Sequence, residues 1–119
     1  MKRAYRAVSL CFAVIPLLFG SLAVYASPPE NIQAKYNLKT QTLLVTIAHD
    51  SMFKGSHFIK YVEIKKNGTT VSINTYDSQP TGNNFTYTYK IPAIEEDTFV
   101  VVCTCSRGDK KSSSELMVK

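Results

Sequence analysis

The sequence is poor in the residues that mark repetitive and extended proteins. Five glycines and five prolines are spread over 119 residues, which excludes a collagen-like or low-complexity chain. Charged residues make up only 19%, whereas seven tyrosines and six phenylalanines add to the aliphatic side chains. This apolar content is enough for one hydrophobic core, so wholesale disorder is excluded. The length allows one small domain.

Familiar catalytic motifs are also missing. The sequence has no G-x-S-x-G motif, which places the nucleophile of many hydrolases, and no glycine-rich phosphate-binding loop. It contains no internal repeat. Any chemistry must therefore come from residues that the fold brings together from separate places in the chain.

The N-terminal segment has the three parts of a secretory signal peptide. Lys2, Arg3 and Arg6 precede an apolar run over residues 7–24, and small side chains lead up to Ala26. The alternative is an uncleaved membrane anchor, but the run contains proline and glycine and is barely long enough to span a bilayer. We expect a signal peptide over residues 1–26, a domain over 27–119, a periplasmic or secreted location and only transient membrane contact.

Removal of residues 1–26 also removes most of the positive charge. The remaining 93 residues carry eleven basic and nine acidic side chains. Such a small excess does not make the positively charged surface that phosphate backbones require. We therefore expect no nucleic-acid partner.

The remaining sequence has a hydrophobic period of two rather than 3.6. A phase change in the third segment, with Ile59 and Tyr61 facing the core first and Val62 and Ile64 later, suggests a β-bulge or a strand buried on both faces. The dipeptide Asn67-Gly68 predicts a tight hairpin. The expected fold is all-β, an immunoglobulin-like antiparallel β-sandwich of about seven strands, with a small barrel as the alternative. The strands are expected at residues 32–37, 42–49, 58–66, 69–76, 85–91, 98–105 and 114–118.

Two cysteines remain after export, and they lie close together in the sixth predicted strand. Cys103 and Cys105 are two residues apart, so their side chains share one face of the strand. Their separation of roughly 6.5 to 7 Å in an extended chain is at the limit for a disulfide. We therefore expect two thiols rather than a bridge.

The chain has only two histidines, and both lie at predicted strand ends. His49 ends the second strand, His57 opens the third, and Cys105 ends the sixth. In an immunoglobulin-like sandwich these ends meet at one rim. Imidazole and thiolate are ligands for iron, copper or zinc, so the three residues are candidate metal ligands. The alternative is two plain loop histidines and two small core cysteines.

Several segments resemble the iron-binding domain of desulfoferrodoxins and superoxide reductases. They include H-F-I-K-Y-V-E-I from His57, the Asn-Gly turn, the I-P-A turn from Ile91, and V-V-V-C-T-C-S-R-G from Val100. The similarity runs over about residues 42–117. It implies an immunoglobulin-like sandwich with a mononuclear non-haem ferrous centre of four histidines and one cysteine, which reduces superoxide to hydrogen peroxide with electrons from a donor or carrier protein.

Carried onto this chain, the resemblance makes His49, His57 and Cys105 the metal ligands, with Cys103 as a less favoured thiolate. The family's last histidine follows the cysteine by three residues, where this chain has Gly108. No histidine precedes His49 in the sequence. The resemblance thus implies an iron-binding redox domain with a depleted ligand set, in which superoxide reduction depends on whether the remaining ligands suffice.

Two other functions stay open. The domain would also suit a non-catalytic binding module of the cell envelope, since such sandwiches commonly bind partners through loops or strand edges. Cys103 and Cys105 would make a thiol pair for redox exchange, although they lack the helix N-terminus that activates C-x-x-C pairs. Tyr87 and Tyr89 share a strand face and form either a half-exposed sandwich surface or an aromatic binding patch.

Overall fold

The computed structural model describes residues 29–119, which fold as an all-β sandwich. The predicted signal peptide, residues 1–26, lies outside this range. Within it no helix is long and apolar enough to cross a membrane. The eight strands are β1 (Asn31–Asn37), β2 (Thr42–Ala48), β3 (Ile59–Lys66), β4 (Thr69–Thr75), β5 (Asn84–Lys90), β6 (Thr98–Cys105), β7 (Lys110–Ser112) and β8 (Leu116–Met117).

The strands form two antiparallel sheets. The smaller sheet has the order β1-β2-β5, and the larger has β4-β3-β6-β7, with β8 also paired to β6. The sheet of β1, β2 and β5 therefore packs against the larger sheet. This arrangement confirms the predicted immunoglobulin-like sandwich. The strand count is eight rather than about seven.

The core fills the space between the sheets through alternation along each strand. Leu43, Val45 and Ile47 of β2 are fully buried, and the intervening residues face outward or are partly covered. In β6 the core-facing set begins with Phe99 and Val101 and continues through both cysteines. The valine run at the centre of β6 therefore combines core-facing and partly exposed positions on a central strand.

The third strand contains the predicted irregularity. Its pairing with β6 shifts register between Ile59 and Tyr61, and its pairing with β4 shifts between Ile64 and Lys65. The first bulge lets Ile59 and Val62 both face the core although they are three residues apart. The prediction that Tyr61 faces the core with Ile59 is wrong. It is 38% exposed because the bulge turns it to the outer face.

The hairpin between β3 and β4 follows the Asn-Gly prediction. Asn67 and Gly68 have φ angles of 53° and 82°, the left-handed values that a two-residue turn of this kind requires. The Asn67 amide also donates to the Asp97 carboxylate at 2.9 Å and accepts the Thr98 N–H at 2.9 Å. The turn is thereby tied to the start of β6.

The C-terminal edge differs from the predicted single strand over 114–118. The edge begins earlier, at Lys110, and its two short strands pair with opposite halves of β6. They are separated by residues 113–115, and the Ser113 hydroxyl accepts the Val101 N–H at 2.9 Å. A side-chain oxygen here takes the place of a backbone acceptor, so the ladder breaks without leaving Val101 unpaired.

Three tyrosines connect the open edges of the two sheets. The rings of Tyr76 and Tyr87 stack at 4.2 Å with an interplanar angle of 1°, and the hydroxyls of Tyr76 and Tyr89 lie 2.7 Å apart. All three pack partly buried against the core. Tyr87 and Tyr89 therefore form an inter-sheet contact rather than an open binding patch.

The hairpin predicts a position-specific cost for adding a methyl group. Gly68→Ala should lower the free energy of unfolding by about 1 to 2 kcal/mol, since an L-residue is disfavoured at a φ of 82°. Gly55→Ala is the matched control, because its new methyl group meets nothing within 4 Å. Urea denaturation measures both, and equal effects of the two substitutions would contradict the turn assignment.

The tyrosine cluster predicts a loss of stability in alkali. Burial raises the pKa of Tyr87 to about 12, and burial followed by the hydrogen bond to Tyr76 raises that of Tyr89. Unfolded tyrosine ionises near pH 10, so ionisation above about pH 10 favours the unfolded chain and stability falls. The Tyr87→Phe/Tyr89→Phe double variant should lose less stability between pH 8 and pH 11.

Denaturant titrations at the two pH values make this comparison. The thiol of Cys103, whose pKa burial also raises to about 12, contributes a similar alkaline loss in both proteins. A double variant with the same alkaline loss as the parent would show that the cluster does not hold its protons more tightly than the unfolded chain.

Candidate metal centre

Three chain segments meet at one rim of the sandwich. His49 directly follows β2 of the smaller sheet, His57 lies two residues before β3, and Cys105 is the last residue of β6. Cys105 is paired with Ile59 across the larger sheet. This pairing places the start of β3, and with it His57, beside the cysteine.

The side chains of these residues converge. One ligand atom from each of His49, His57 and Cys105 lies within 4.8 Å of the other two. The imidazole rings are 4.7 Å apart and edge-on, at 75°. His49 is 1% exposed and Cys105 2%, whereas His57 is half-buried. The structure therefore brings together all three residues that the sequence singled out, and that they bind a metal stays a prediction.

A buried glutamine fixes the His49 ring. Gln79 is 4% exposed, and its Oε1 lies 2.5 Å from Nδ1 of His49. The same oxygen accepts the Ile59 N–H at 3.1 Å, while Nε2 donates to the carbonyls of His49 and Thr81 at 3.1 and 3.0 Å. These three backbone groups therefore determine which atom of the Gln79 side-chain amide is the oxygen and which is the nitrogen.

That orientation determines the tautomer of His49. Because Oε1 of Gln79 is an acceptor, the proton of the neutral imidazole lies on Nδ1. The lone pair is then on Nε2. A histidine ligand whose second nitrogen donates to a fixed acceptor is the usual arrangement in metal sites.

No pattern in the sequence points to Gln79. It stands between the predicted strands over 69–76 and 85–91, in a stretch with proline, glycine and asparagine, and glutamine in a loop is mostly exposed. Its role depends on a contact with a residue thirty positions away. Only the folded arrangement of β2, β3 and this loop identifies it.

The loop between the two histidines is anchored at its ends. The N–H of Ser51 donates to the Gly82 carbonyl at 2.8 Å, and its hydroxyl donates to the carbonyl of His57. A Cβ at Gly82 would lie 2.9 Å from the Ser51 carbonyl oxygen, so this close approach requires glycine. Asp50, the acidic residue of this loop, is exposed and does not belong to the cluster.

Cys105 is held by a tight turn that follows β6. Its N–H donates to the Asp109 carbonyl at 2.7 Å, and its carbonyl accepts the Gly108 N–H at 2.8 Å. Gly108 has a φ of 103°. This is the position at which the resembled family has its last histidine, and here the backbone adopts a conformation that a residue with a side chain disfavours.

Cys103 has a different environment from Cys105. Both are buried free thiols on the core face of β6, as the spacing predicted. Burial raises the pKa of Cys103 to about 12, so it is a neutral thiol at physiological pH, and it lies outside the cluster. The less favoured thiolate candidate is therefore a core residue.

The cluster fits a small mononuclear site but not the five-ligand iron centre of the resembled family. Two ligands on one ion, with bonds of about 2.0 to 2.3 Å, lie roughly 3.4 to 3.8 Å apart, so small side-chain rotations would close the observed spacing. The whole sequence has two histidines, however, and one chain cannot supply four. The ligand types suit iron, copper and zinc, and their number is three.

Comparisons with known proteins give likenesses in structure only. No family model and no curated protein matches the sequence. The structure is similar to a superoxide reductase (neelaredoxin) from Ignicoccus hospitalis, with 12% identity over 76% of this chain and 80% of that chain and a TM-score of 0.48. It is also similar to its E23A variant, with 14% identity, 85% and 84% coverage and a TM-score of 0.46.

A superoxide reductase from Nanoarchaeum equitans is similar as well, with 13% identity over 80% of this chain and 97% of that chain and a TM-score of 0.49. Identities and scores of this size assign no residue and no activity to this chain.

The glutamine predicts a measurable effect on metal affinity. Gln79→Leu should weaken metal binding by about 10- to 100-fold, because the His49 ring loses the acceptor that fixes its orientation. Titration of the metal-free protein against a competing chelator measures this, with circular dichroism to establish that the variant is folded.

Gln41→Leu is the matched control. The Gln41 side chain, like that of Gln79, bonds to backbone groups, here the N–H and carbonyl of Ala93 and the carbonyl of Leu38. It contacts no histidine through these bonds and precedes β2 at the opposite end of the sandwich. It should cost stability without changing metal affinity. Equal metal affinities in the Gln79→Leu and Gln41→Leu variants would show that Gln79 does not support the site.

Proposed function

We propose that this chain is an exported redox domain that binds one metal ion through His49, His57 and Cys105. The convergence of three residues from distant parts of the sequence on one buried point carries the proposal. Loop histidines without a function would not be expected to lie beside a thiol at a spacing close to that of a metal site. The fixed tautomer of His49 supports the same conclusion.

Iron is the metal that the resemblance implies. With two imidazoles instead of four, we do not expect the ligand field that supports superoxide reduction in the resembled family. The proposed function is therefore a metal-binding redox domain with a superoxide reductase-like fold and little or no superoxide turnover. A donor or carrier protein would supply or accept its electron.

Metal analysis tests this function. The full chain, expressed in a host that exports it, should contain about one equivalent of a transition metal by elemental mass spectrometry. His57→Ala and Cys105→Ser should each remove most of it, because each deletes one of three ligands. Cys103→Ser is the control and should keep the metal, since it lies outside the cluster. The intact mass should show that residues 1–26 are absent.

The opposite result has a clear meaning. A folded protein that holds less than a tenth of an equivalent of every metal would exclude the metal-binding function. The non-catalytic binding module would then be the better account of the fold.

A further inference from the structure

The number and type of ligands point to a metal other than iron. Two imidazoles and one thiolate make a His₂Cys set, which in proteins is typical of mononuclear copper sites that transfer electrons. Mononuclear iron sites use a larger or more oxygen-rich set, such as two histidines and a carboxylate. Here Asp50, the acidic residue beside His49, is exposed and lies outside the cluster.

Burial of the ligands favours a low coordination number. His49 and Cys105 are almost completely covered and His57 is half-buried, so water has little access to two of the three ligands. Iron and zinc would need one or more added ligands to complete their preferred shells. Copper is stable with three strong ligands and a weak or distant fourth.

The ligands are also held by the fold rather than by the metal. The Cys105 backbone is bonded on both sides in the turn after β6, and Gln79 connects His49 to β3. A site whose ligands cannot move far gives the two oxidation states of a metal nearly the same surroundings. That property suits a one-electron carrier more than an enzyme that must open a coordination position.

We propose that His49, His57 and Cys105 form a mononuclear copper site that carries one electron. Cu(I) gives one electron to an oxidised partner protein and becomes Cu(II), and a reduced partner returns it. No bond to the protein forms or breaks and no proton is transferred. This inference rests on the proposed function, because it requires the cluster to bind a metal.

The experiment compares metals in direct competition. The full chain from an exporting host is stripped with a chelator and offered equal amounts of Fe(II), Zn(II) and Cu(I) without oxygen. We expect about one equivalent of copper, retained over iron by about tenfold or more, because soft thiolate ligands favour Cu(I). Because copper binds many such sites strongly, retention alone does not decide the proposal.

Spectroscopy supplies the decisive readout. Oxidation with ferricyanide should produce a copper–thiolate charge-transfer band in the visible spectrum and the paramagnetic signal of Cu(II). Ascorbate should abolish both reversibly. Cys105→Ser should lose the visible band, whereas Cys103→Ser, a change of the same size on the same face of β6, should keep it. His57→Gln, at the half-buried rim, is a second test if Cys105→Ser does not fold.

The outcomes separate this inference from the proposed function. Iron retained over copper, with loss in His57→Gln, would overturn the copper inference and leave the metal-binding function in place. Zinc retained over copper would do the same. Copper with an unchanged spectrum in folded Cys105→Ser would place the copper elsewhere and overturn the inference. Retention of no metal would overturn both.

Discussion

The arrangement of the rim depends on one β-bulge at the start of β3. From Tyr61 onward β3 pairs with β6 in regular register, and the bulge then places Ile59 opposite Cys105. This register brings the chain that precedes β3, and with it His57, beside the cysteine. Regular pairing would have put Lys60 opposite Cys105. The extra residue in the strand therefore sets how the start of β3 meets the end of β6 at the rim.

Much of the sandwich could be predicted because its causes are local. Alternating apolar residues identify β2, β5 and β6, and Asn67-Gly68 identifies the hairpin, since both signals act between neighbours in sequence. The convergence of His49, His57 and Cys105 followed from strand order alone. Which metal they would bind depends on how many ligands reach one point and how well water is excluded, and the spacing in the sequence gives neither.

The features that the sequence did not reveal are tertiary contacts between residues of ordinary type. The role of Gln79 arises from backbone groups on three segments. The stacking of Tyr76 on Tyr87 joins opposite sheets, so a face that reads as half-exposed becomes an internal contact. The edge strand at Lys110 is a run of polar residues, and it pairs because β6 offers an open ladder rather than because of its own composition.

The close packing of the rim also has a consequence for kinetics. The loop beside the half-buried His57 is fastened by Ser51 to the Gly82 and His57 carbonyls. Exchange of an ion bound as proposed would be coupled on this side to the breaking of those few bonds, which is a local opening rather than global unfolding. The residence time of the ion would then be set by the free energy of that opening as well as by bond strength. A site of modest equilibrium affinity would in this way keep its ion through dilution.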